Sequence, residues 1–259
     1  MNSTPAAAAS PLPSVTILGV RVHAITMAQT LNWVEAAVAA PAGTRRPRQI
    51  CTANPEFVMA AQRDAEFRQV LNAADLVLPD GVGLLWAARR RGGHLPERVA
   101  GSDLIYRLSE LAGTHGWRVY FLGAAQGVAQ AAAERLRGLY PGLIIAGTAA
   151  GDPTPASAGA LVAGVRAAQP DVLLVAYGAP AQDKWIARHR AELGVPVSLG
   201  VGGSFDFVAG VAQRAPVWIQ RLGLEWLHRL ARQPWRARRI YTAVVAFPLA
   251  VLFGRPKED

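Results

Sequence analysis

Polar side chains in this 259-residue chain cluster just after short apolar runs, where open parallel α/β sheets bind their ligands. Asp80 is the carboxylate of greatest interest, because it follows the apolar run 76–78 and precedes Gly81. A carboxylate held there could accept a proton from a bound hydroxyl group. Alternatively, Asp80 caps the helix that begins at Val82, since Asp is a favoured N-cap residue. The sequence pattern alone favours the cap.

Thr52 and Asn54 end another apolar run and have the same two interpretations. Either their neutral hydrogen-bonding groups bind a sugar, or they form the turn before Pro55. Glycine-rich sequence follows three further candidate strands, at 123–127, 178–184 and 200–204. Such glycines let backbone N–H groups approach a phosphate at a helix N-terminus, but a plain turn is the simpler interpretation of each.

Several classes of site are not indicated by the sequence. It contains neither G-x-G-x-x-G nor G-x-x-x-x-G-K-[ST], the signatures of dinucleotide binding and of the P-loop. The five histidines lack metal-ligand spacing, and the single cysteine, Cys51, excludes a Cys-rich zinc site or an intrachain disulfide. Ser204 lies in G-G-S-F, which differs from the G-x-S-x-G of hydrolases. We therefore predict no metal site.

Short β-branched runs alternate with amphipathic Ala-rich stretches, a pattern typical of βαβ units. It predicts an α/β protein with a Rossmann-like, mostly parallel sheet and helices on both faces. The predicted strands are 15–18, 49–52, 75–78, 117–122, 143–146, 172–176 and 196–200. The predicted helices are 27–39, 55–72, 82–91, 102–114, 127–139, 155–168 and 180–192. Ser102 and Asp103 are expected to cap the helix that Gly116 ends, while Pro55 and Pro180 suit first-turn positions.

The positive charge of the chain is concentrated in one stretch. The formal net charge is +9, and Arg214 to Arg239 carry +6 of it, from seven arginines and one glutamate. Such a local excess indicates an anionic partner. We therefore predict a flexible N-terminal tail (1–14), an α/β body (15–213) and a basic, apolar, helical C-terminal appendage (214–259). The high apolar content, 51%, excludes a disordered chain.

An uncharged run of 15 residues, 240–254, follows the arginines. It is shorter than the ~20 residues that a spanning helix needs. Apolar surface beside cations suits a segment lying on an anionic membrane, and a helix packed on the body is the alternative. Residues 1–14 lack the basic and continuous apolar regions of a signal peptide.

Taken in order, seven segments resemble the WecG/TagA/CpsF glycosyltransferases, glycosyltransferase family 26. They occur in the order of the family, and the resemblance extends over about residues 15 to 240. The segments are TANPEFVM (52–59), LPDGVG (78–83), RVAGSDL (98–104), VYFLGA (119–124), GAPAQDKW (178–185), GVGGSFDFVAG (200–210) and RAPVWIQRLGLEWLHRL (214–230).

The resemblance implies an inverting hexosyltransferase that uses a UDP-sugar and a polyprenyl-diphosphate-linked saccharide. The hexose would be N-acetylmannosamine, its uronic acid or glucose. The product would enter exopolysaccharide, capsule, common antigen or teichoic acid biosynthesis. Such an enzyme works peripherally at the cytoplasmic face of the inner membrane, on an anionic surface, without a metal or other cofactor. Homo-oligomerisation is compatible with the sequence.

The resemblance also assigns roles to individual residues. Asp80 would be the catalytic base that deprotonates the acceptor hydroxyl. The expected substrate-binding residues are Thr52, Asn54, Gly123, Gln182, Arg229, Arg236 and Arg239. The three arginines would close over the site and neutralise the diphosphate, which arginine suits because it is permanently charged and binds phosphate in a bidentate fork. The sequence departs from the family at Asp183, where a glutamate is usual, and at 151–153, where an aromatic pair is common.

Two other classes of function compete with this one. The arginines and tryptophans of the appendage could bind nucleic acid by phosphate contact and base stacking. However, OB, RRM and helix-turn-helix patterns are missing, so a nucleic-acid partner is not expected. The other alternative is a non-catalytic scaffold that binds a UDP-sugar without turning it over.

Overall fold

The computed structural model describes residues 12–41, 44–213, 215–216, 219, 225–232 and 234–254. Its strands are β1 (Ser14–Ile17), β2 (Val20–His23), β3 (Arg48–Ala53), β4 (Leu76–Pro79), β5 (Arg118–Gly123), β6 (Ile144–Ala149), β7 (Val172–Ala176) and β8 (Val197–Gly200). Six of them form a parallel sheet in the order β4-β3-β8-β7-β5-β6, and β1 pairs with β2 in a separate antiparallel hairpin. The predicted parallel sheet is confirmed.

Twelve α-helices lie in the described residues. They are α1 (Met27–Ala39), α2 (Pro55–Ala61), α3 (Ala65–Ala73), α4 (Val82–Arg90), α5 (Gly101–His115), α6 (Val128–Leu139), α7 (Pro155–Ala168), α8 (Ala181–Leu193), α9 (Ser204–Ala209), α10 (Glu225–Arg232), α11 (Ala237–Tyr241) and α12 (Phe247–Phe253). A 3₁₀ turn (Pro234–Arg236) precedes α11, and a π-helical turn (Thr242–Ala246) joins α11 to α12.

Apolar side chains cover both faces of the sheet. Ile50 of β3 packs with residues of α1, α5, α6 and α9, whereas the next residue, Cys51, packs on the opposite face with α2, α3 and α4. Further along that second face, β5 and β7 pack against α7 and α8. Strands buried on both faces are expected where crossover helices flank a parallel sheet. The predicted α/β, Rossmann-like fold with helices on both faces is therefore confirmed.

The predicted helix 55–72 is wrong, because the chain breaks it into α2 and α3. Asp64 is the N-cap of α3, and its Oδ1 accepts a hydrogen bond from Phe67 N at 3.0 Å. Lys184 Nζ lies 2.7 Å from the other carboxylate oxygen. Aspartate in a helix interior competes with the backbone for such bonds, so it starts a new helix here.

Strand β2 was absent from the sequence-based prediction. The turn residues Leu18 and Gly19 both have positive φ, 48° and 75°, and Ile17 pairs with Val20 across them. A two-residue hairpin needs such angles, and an Asn-Gly pair usually supplies them. Leu-Gly is a weak turn signal, which explains why the hairpin was missed.

Two predicted helix starts are also wrong. Helix α5 has Ala100 as its N-cap and no side-chain capping bond, so Ser102 and Asp103 lie within its first turn. Pro180 is the N-cap of α8 and not a first-turn residue. The predicted ending of α5 at Gly116, with φ 66°, is confirmed. Pro55 in the first turn of α2 is confirmed as well.

The C-terminal segment, residues 234–254, packs on the body through one face only. Ile240, Phe247 and Val251 are buried, and Phe247 belongs to the same apolar cluster as α2 and α4. A Cβ atom at Gly83 of α4 would lie 3.7 Å from the Phe247 ring, so the two helices are in close contact. The other face exposes the apolar side chains of Tyr241, Val244, Val245, Leu249, Leu252 and Phe253. Within the described residues, no helix has both the length and the apolar composition to cross a bilayer.

The π-helical turn has a local cause in Pro248. Phe247 N donates to Thr242 O, five residues earlier, just before the proline. Proline has no N–H, and its ring clashes with the carbonyl four residues before it in a regular α-helix. A wider turn relieves that clash and keeps the apolar face continuous.

We predict that Phe247→Ala detaches the C-terminal segment. Truncating a buried phenylalanine lowers stability by about 3–5 kcal/mol. Here the loss would weaken the packing of this segment on the body. Limited proteolysis should then cleave within 234–254 many times faster than in the wild type. Phe253→Ala is the control, since that side chain is 79% exposed against 0% for Phe247. Equal protection of both variants would contradict the prediction.

Candidate active site

The parallel sheet brings the polar strand-end residues to one edge. Strands β3 and β4 are neighbours, with Thr52 opposite Leu78 and Ala53 opposite Pro79. Asp80 N donates to Ala53 O at 2.7 Å, which extends this pairing beyond β4. Because the strands are parallel, the loops after β5, β7 and β8 open at the same edge.

The Asp80 side chain does not cap α4. Gly81 is the N-cap of that helix, with φ 141°, and no side chain bonds to the helix start. Asp80 Oδ2 instead accepts a hydrogen bond from Gly101 N, at the first residue of α5, at 3.1 Å. The cap interpretation is therefore wrong. A helix N-terminus attracts negative charge, so the start of α5 orients this carboxylate.

Thr52 lies against the same helix start. Its side chain is buried, and a Cβ atom at Gly101 would lie 3.3 Å from both Thr52 Oγ1 and Thr52 Cγ2. A side chain at position 101 would therefore press on Thr52, and one of the two would have to shift by a few tenths of an ångström. Gly101 was not among the predicted site residues. Its place in the R-V-A-G-S-D-L motif was the only sequence signal for it.

Asn54 is a capping residue, and it also lies beside the Asp80 loop. Asn54 Oδ1 accepts from Phe57 N at 3.0 Å, so the turn interpretation of this residue is confirmed. A Cβ atom at Gly81 would lie 3.9 Å from Asn54 Cβ. Asn54 Nδ2 makes no hydrogen bond within the described residues, so it can donate to a ligand while Oδ1 keeps the cap.

Gly123 ends β5 in a conformation that requires glycine. Its φ is 98°, and a Cβ atom there would lie 2.9 Å from Tyr177 Cδ1 and 3.0 Å from Ala176 O. Ala124 N donates to that same carbonyl at 3.0 Å. Burial raises the pKa of Tyr177, and its hydroxyl has no hydrogen-bond partner within the described residues. The tyrosine thus places an unpaired polar atom at the strand end.

Gln182 joins two strand-end loops. Its side chain is 2% exposed, and Oε1 accepts from Gly178 N at 3.1 Å and from Gly202 N at 3.0 Å. These N–H groups belong to the loops after β7 and β8. A Cβ atom at Gly200 would lie 2.3 Å from Gln182 Nε2, so the glutamine fits only against glycine there. The geometry gives Gln182 a positioning role, and its contact with a substrate stays a prediction.

Asp183 is a buried carboxyl next to this glutamine. Burial raises its pKa to about 7. Neither carboxylate oxygen is in hydrogen-bond geometry with a described donor. The neighbouring Cys51 thiol is fully buried too, and burial followed by the Asp183 charge raises its pKa. Asp183 is thus a buried acid that takes up a proton on folding.

Of the three predicted arginines, Arg239 contacts a carboxylate of the body, and Arg236 acts on another through its charge. Arg239 Nε lies 2.7 Å from Glu56 Oε2, on the first turn of α2. Burial raises the pKa of Asp206 in α9, and the nearby Arg236 charge opposes that shift. The side chain of Arg229 lies outside the described residues. Since α2 follows β3 and α9 follows β8, the C-terminal segment spans the loops of two adjacent strands.

Glu56 and Asp206 were not predicted as site residues, although both lie within the motifs of the family resemblance. Their pairing with distant arginines had no sequence signal, because 183 residues separate Glu56 from Arg239. Among the described residues, no group of three or more His, Cys, Asp or Glu side chains could hold a metal ion.

The comparison with known families decides the class of protein. The profile described as the glycosyl transferase WecG/TagA/CpsF family matches residues 15–258. The chain belongs to this family. Its resemblance to the family, predicted from seven motifs, is confirmed, and the protein is a glycosyltransferase. The strand-end residues described above therefore form the candidate active site of a WecG/TagA/CpsF glycosyltransferase.

Curated relatives of this glycosyltransferase are named N-acetylglucosaminyldiphosphoundecaprenol N-acetyl-β-D-mannosaminyltransferase. The protein from Bacillus subtilis (strain 168) is 36% identical over 204 residues, which cover 78% of each chain. That from Bacillus spizizenii is 37% identical over 191 residues, 74% of each chain. One from Staphylococcus aureus (strain MW2) is 31% identical over 191 residues, 72% of each.

We predict that Asp183→Asn changes the pH dependence of stability. Between its ordinary pKa of 3.8 and its native pKa of about 7, the folded state of the wild type holds a proton that the unfolded state has lost. The free energy of unfolding therefore falls as the pH rises through this window, by about 4 kcal/mol at its upper end. The asparagine variant should lose this slope, measured by urea denaturation at several pH values.

The control for Asp183→Asn is Asp152→Asn, which removes an exposed aspartate. It should retain the slope of the wild type. An unchanged slope in Asp183→Asn would show that Asp183 does not titrate between the two pKa values.

Proposed function

We propose that this glycosyltransferase transfers N-acetylmannosamine from a UDP-sugar to N-acetylglucosaminyl-diphosphoundecaprenol, a step in cell-surface polysaccharide synthesis. The names of the relatives support the transferred sugar and the acceptor. N-acetylmannosaminuronate and glucose are the alternative sugars. The observation that carries the proposal is the Asp80 carboxylate, held by Gly101 N beside Thr52 and Asn54 at the carboxyl edge of the sheet.

The proposed reaction is a single displacement. The acceptor hydroxyl oxygen attacks the anomeric carbon of the sugar while the bond from that carbon to the UDP oxygen breaks. Asp80 accepts the hydroxyl proton, and the electron pair of the broken bond leaves with UDP. The attack comes from the face opposite the leaving group, so the anomeric configuration inverts. Thr52 and Asn54 lie where their polar groups can hold the reacting sugars.

The leaving diphosphate needs positive charge as the bond breaks. We assign this task to Arg236 and Arg239. Arg239 now lies 2.7 Å from the Glu56 carboxylate, and the charge of Arg236 opposes the raised pKa of Asp206. We propose that both exchange these partners for the diphosphate oxygens when substrate binds, because a bidentate phosphate contact is the stronger charge-assisted interaction.

We also propose that the enzyme works while bound to the cytoplasmic face of the membrane. The C-terminal segment exposes apolar side chains on the face opposite its contact with the body. Val82 and Trp86 of α4, the helix in contact with Phe247, are also exposed. Arg232 and Arg238 add exposed positive charge beside this surface. Such a combination suits partial burial among anionic lipid headgroups.

We predict that Asp80→Asn lowers kcat about a hundred- to ten-thousand-fold, as expected for loss of a general base. The asparagine oxygen can still accept from Gly101 N, so the fold and the KM for the donor should change little. Sugar transfer to the lipid-linked acceptor gives the rate. Glu134→Gln removes an exposed carboxylate from α6 and should match the wild type. Near-normal turnover by Asp80→Asn would rule out the assigned base.

The transfer assay, together with measurements of donor binding and of oligonucleotide binding, distinguishes the three classes of function. Wild-type protein and acceptor are incubated with UDP-N-acetylmannosamine, UDP-N-acetylmannosaminuronate and UDP-glucose separately. Consumption of one donor with a glycosylated lipid product supports the enzyme and identifies its sugar. Donor binding without any product would indicate the scaffold. Salt-dependent oligonucleotide binding without donor binding would indicate the nucleic-acid-binding alternative.

We predict that Phe253→Ser weakens binding to phosphatidylglycerol vesicles about tenfold, because an exposed phenylalanine loses its burial among lipid chains. Vesicle flotation measures the bound fraction. Leu139→Ser is the matched control. Leu139 is also exposed, at 54%, but it ends α6, the helix between β5 and β6, and not the C-terminal segment. The wild type should bind phosphatidylcholine vesicles more weakly than phosphatidylglycerol vesicles, because phosphatidylcholine lacks the anionic headgroup. If both serine variants bind like the wild type, the C-terminal segment is not the membrane contact.

A further inference from the structure

A partly open cavity of about 210 Å³ lies between α2 and the C-terminal segment. The lining residues come from α2, α3, the loop after β7 and the C-terminal segment. They are Glu56, Phe57, Met59, Ala60, Arg63, Phe67, Ala179, Pro180, Arg239 and Thr242. Apart from Glu56 and Arg239, these side chains have no part in the reaction described above.

The walls of this cavity are mostly apolar. Phe57 and Phe67 are buried and lie 5.4 Å apart between ring centroids, and Met59 and Ala60 line the same space. A cavity of about 150 Å³ with such walls holds a benzene-sized guest, so 210 Å³ has room for roughly two isoprene units. The walls thus suit a branched hydrocarbon chain better than a sugar or a nucleobase.

The charged lining residues are mainly basic. Glu56 and Arg239, 2.7 Å apart, offset each other's charge, which leaves the positive charge of Arg63 as the excess. An apolar space bordered by arginines matches an amphiphile that has an anionic head and a hydrocarbon chain. A prenyl diphosphate has this chemistry, whereas a free sugar nucleotide lacks the chain.

The cavity is also close to the candidate catalytic base. Glu56 is two residues after Asn54 on the same helix start, and a Cβ atom at Gly81 would lie 3.3 Å from Pro55 Cδ. Asp80 precedes Gly81, so the Asp80 loop and the cavity both lie against the N-terminal turn of α2. On the other side, Thr242 continues into the exposed apolar face of the C-terminal segment.

We propose that this cavity binds the first isoprene units of the lipid carrier, next to its diphosphate, and that the rest of the chain leaves along the C-terminal segment. The inference rests on the proposed function for the identity of the acceptor. It adds a binding site for the hydrocarbon chain within the protein, so that the chain as well as the diphosphate positions the acceptor sugar near Asp80.

Binding of short prenyl diphosphates to the intact wild-type protein tests the proposal without turnover. Methyl, isopentenyl, geranyl and farnesyl diphosphate share one head and carry zero, one, two and three isoprene units. Calorimetry without detergent or vesicles should show affinity rising at least tenfold from methyl to geranyl diphosphate. It should then level off at farnesyl diphosphate, because the cavity is full. Equal affinity along the series would overturn the proposal.

Filling the cavity tests where the chain binds. Ala60→Trp should remove the dependence on chain length while leaving the affinity for methyl diphosphate unchanged, since the cations remain. Ala131→Trp is the control, because Ala131 is exposed on α6. Met59→Gln keeps the length of the side chain but makes the cavity wall polar, so it should also weaken geranyl diphosphate binding. This second variant tests the proposal even if Ala60→Trp does not fold. A chain-length dependence that both cavity variants retain would place the chain elsewhere.

These binding results do not depend on the outcome of the transferase assay. Suppose that no sugar is transferred, but affinity rises with chain length and Ala60→Trp abolishes that rise. The cavity then binds the prenyl chain, and the proposed reaction is wrong. If sugar is transferred while the series is flat, the reaction stands and the cavity does not bind the chain.

Discussion

Parallel pairing of β3 with β4 on one side and with β8 on the other is the constraint on which the candidate site depends. It places the loop after each strand at one edge of the sheet. Asp80 and Thr52 lie against the same residue, Gly101, because β3 and β4 are paired in this register. The bond from Asp80 N to Ala53 O continues the pairing beyond β4. A shift of one residue in either strand would turn these side chains to the opposite face.

Glycines make this edge compact enough for the polar groups to meet. Gly101 lets the start of α5 lie against Thr52 and donate to Asp80, and Gly200 makes room for the Gln182 amide. At Gly123, a side chain would collide with the end of β7. Backbone groups therefore orient the acidic side chain and fix the loops. The site is preorganised by packing and by main-chain hydrogen bonds, which cost no reorganisation when a ligand arrives.

Electrostatics connects this edge with the C-terminal segment. Glu56 holds Arg239 beside the loop after β3, and the charge of Arg236 acts on Asp206 after β8. Phe247 fixes the same segment through apolar packing. The arginines are thus kept near the loops where we propose that the diphosphate binds, while the outer face of the segment stays apolar. A single short segment thereby contributes to the basic edge of the site, to the wall of the cavity and to the proposed membrane surface.

The sequence by itself determined the parallel α/β fold and the family, because periodic apolar runs and ordered motifs are local signals that survive without coordinates. It also indicated Asp80, but it favoured the wrong role for that residue, since an aspartate before a helix usually caps it. Only the tertiary structure showed that Gly101, 21 residues away, takes the carboxylate. The pairing of Arg239 with Glu56, the exposed face of the C-terminal segment and the apolar cavity were likewise decided by tertiary packing. Each arises from side chains far apart in the chain, and local patterns carry no information about which distant groups will meet.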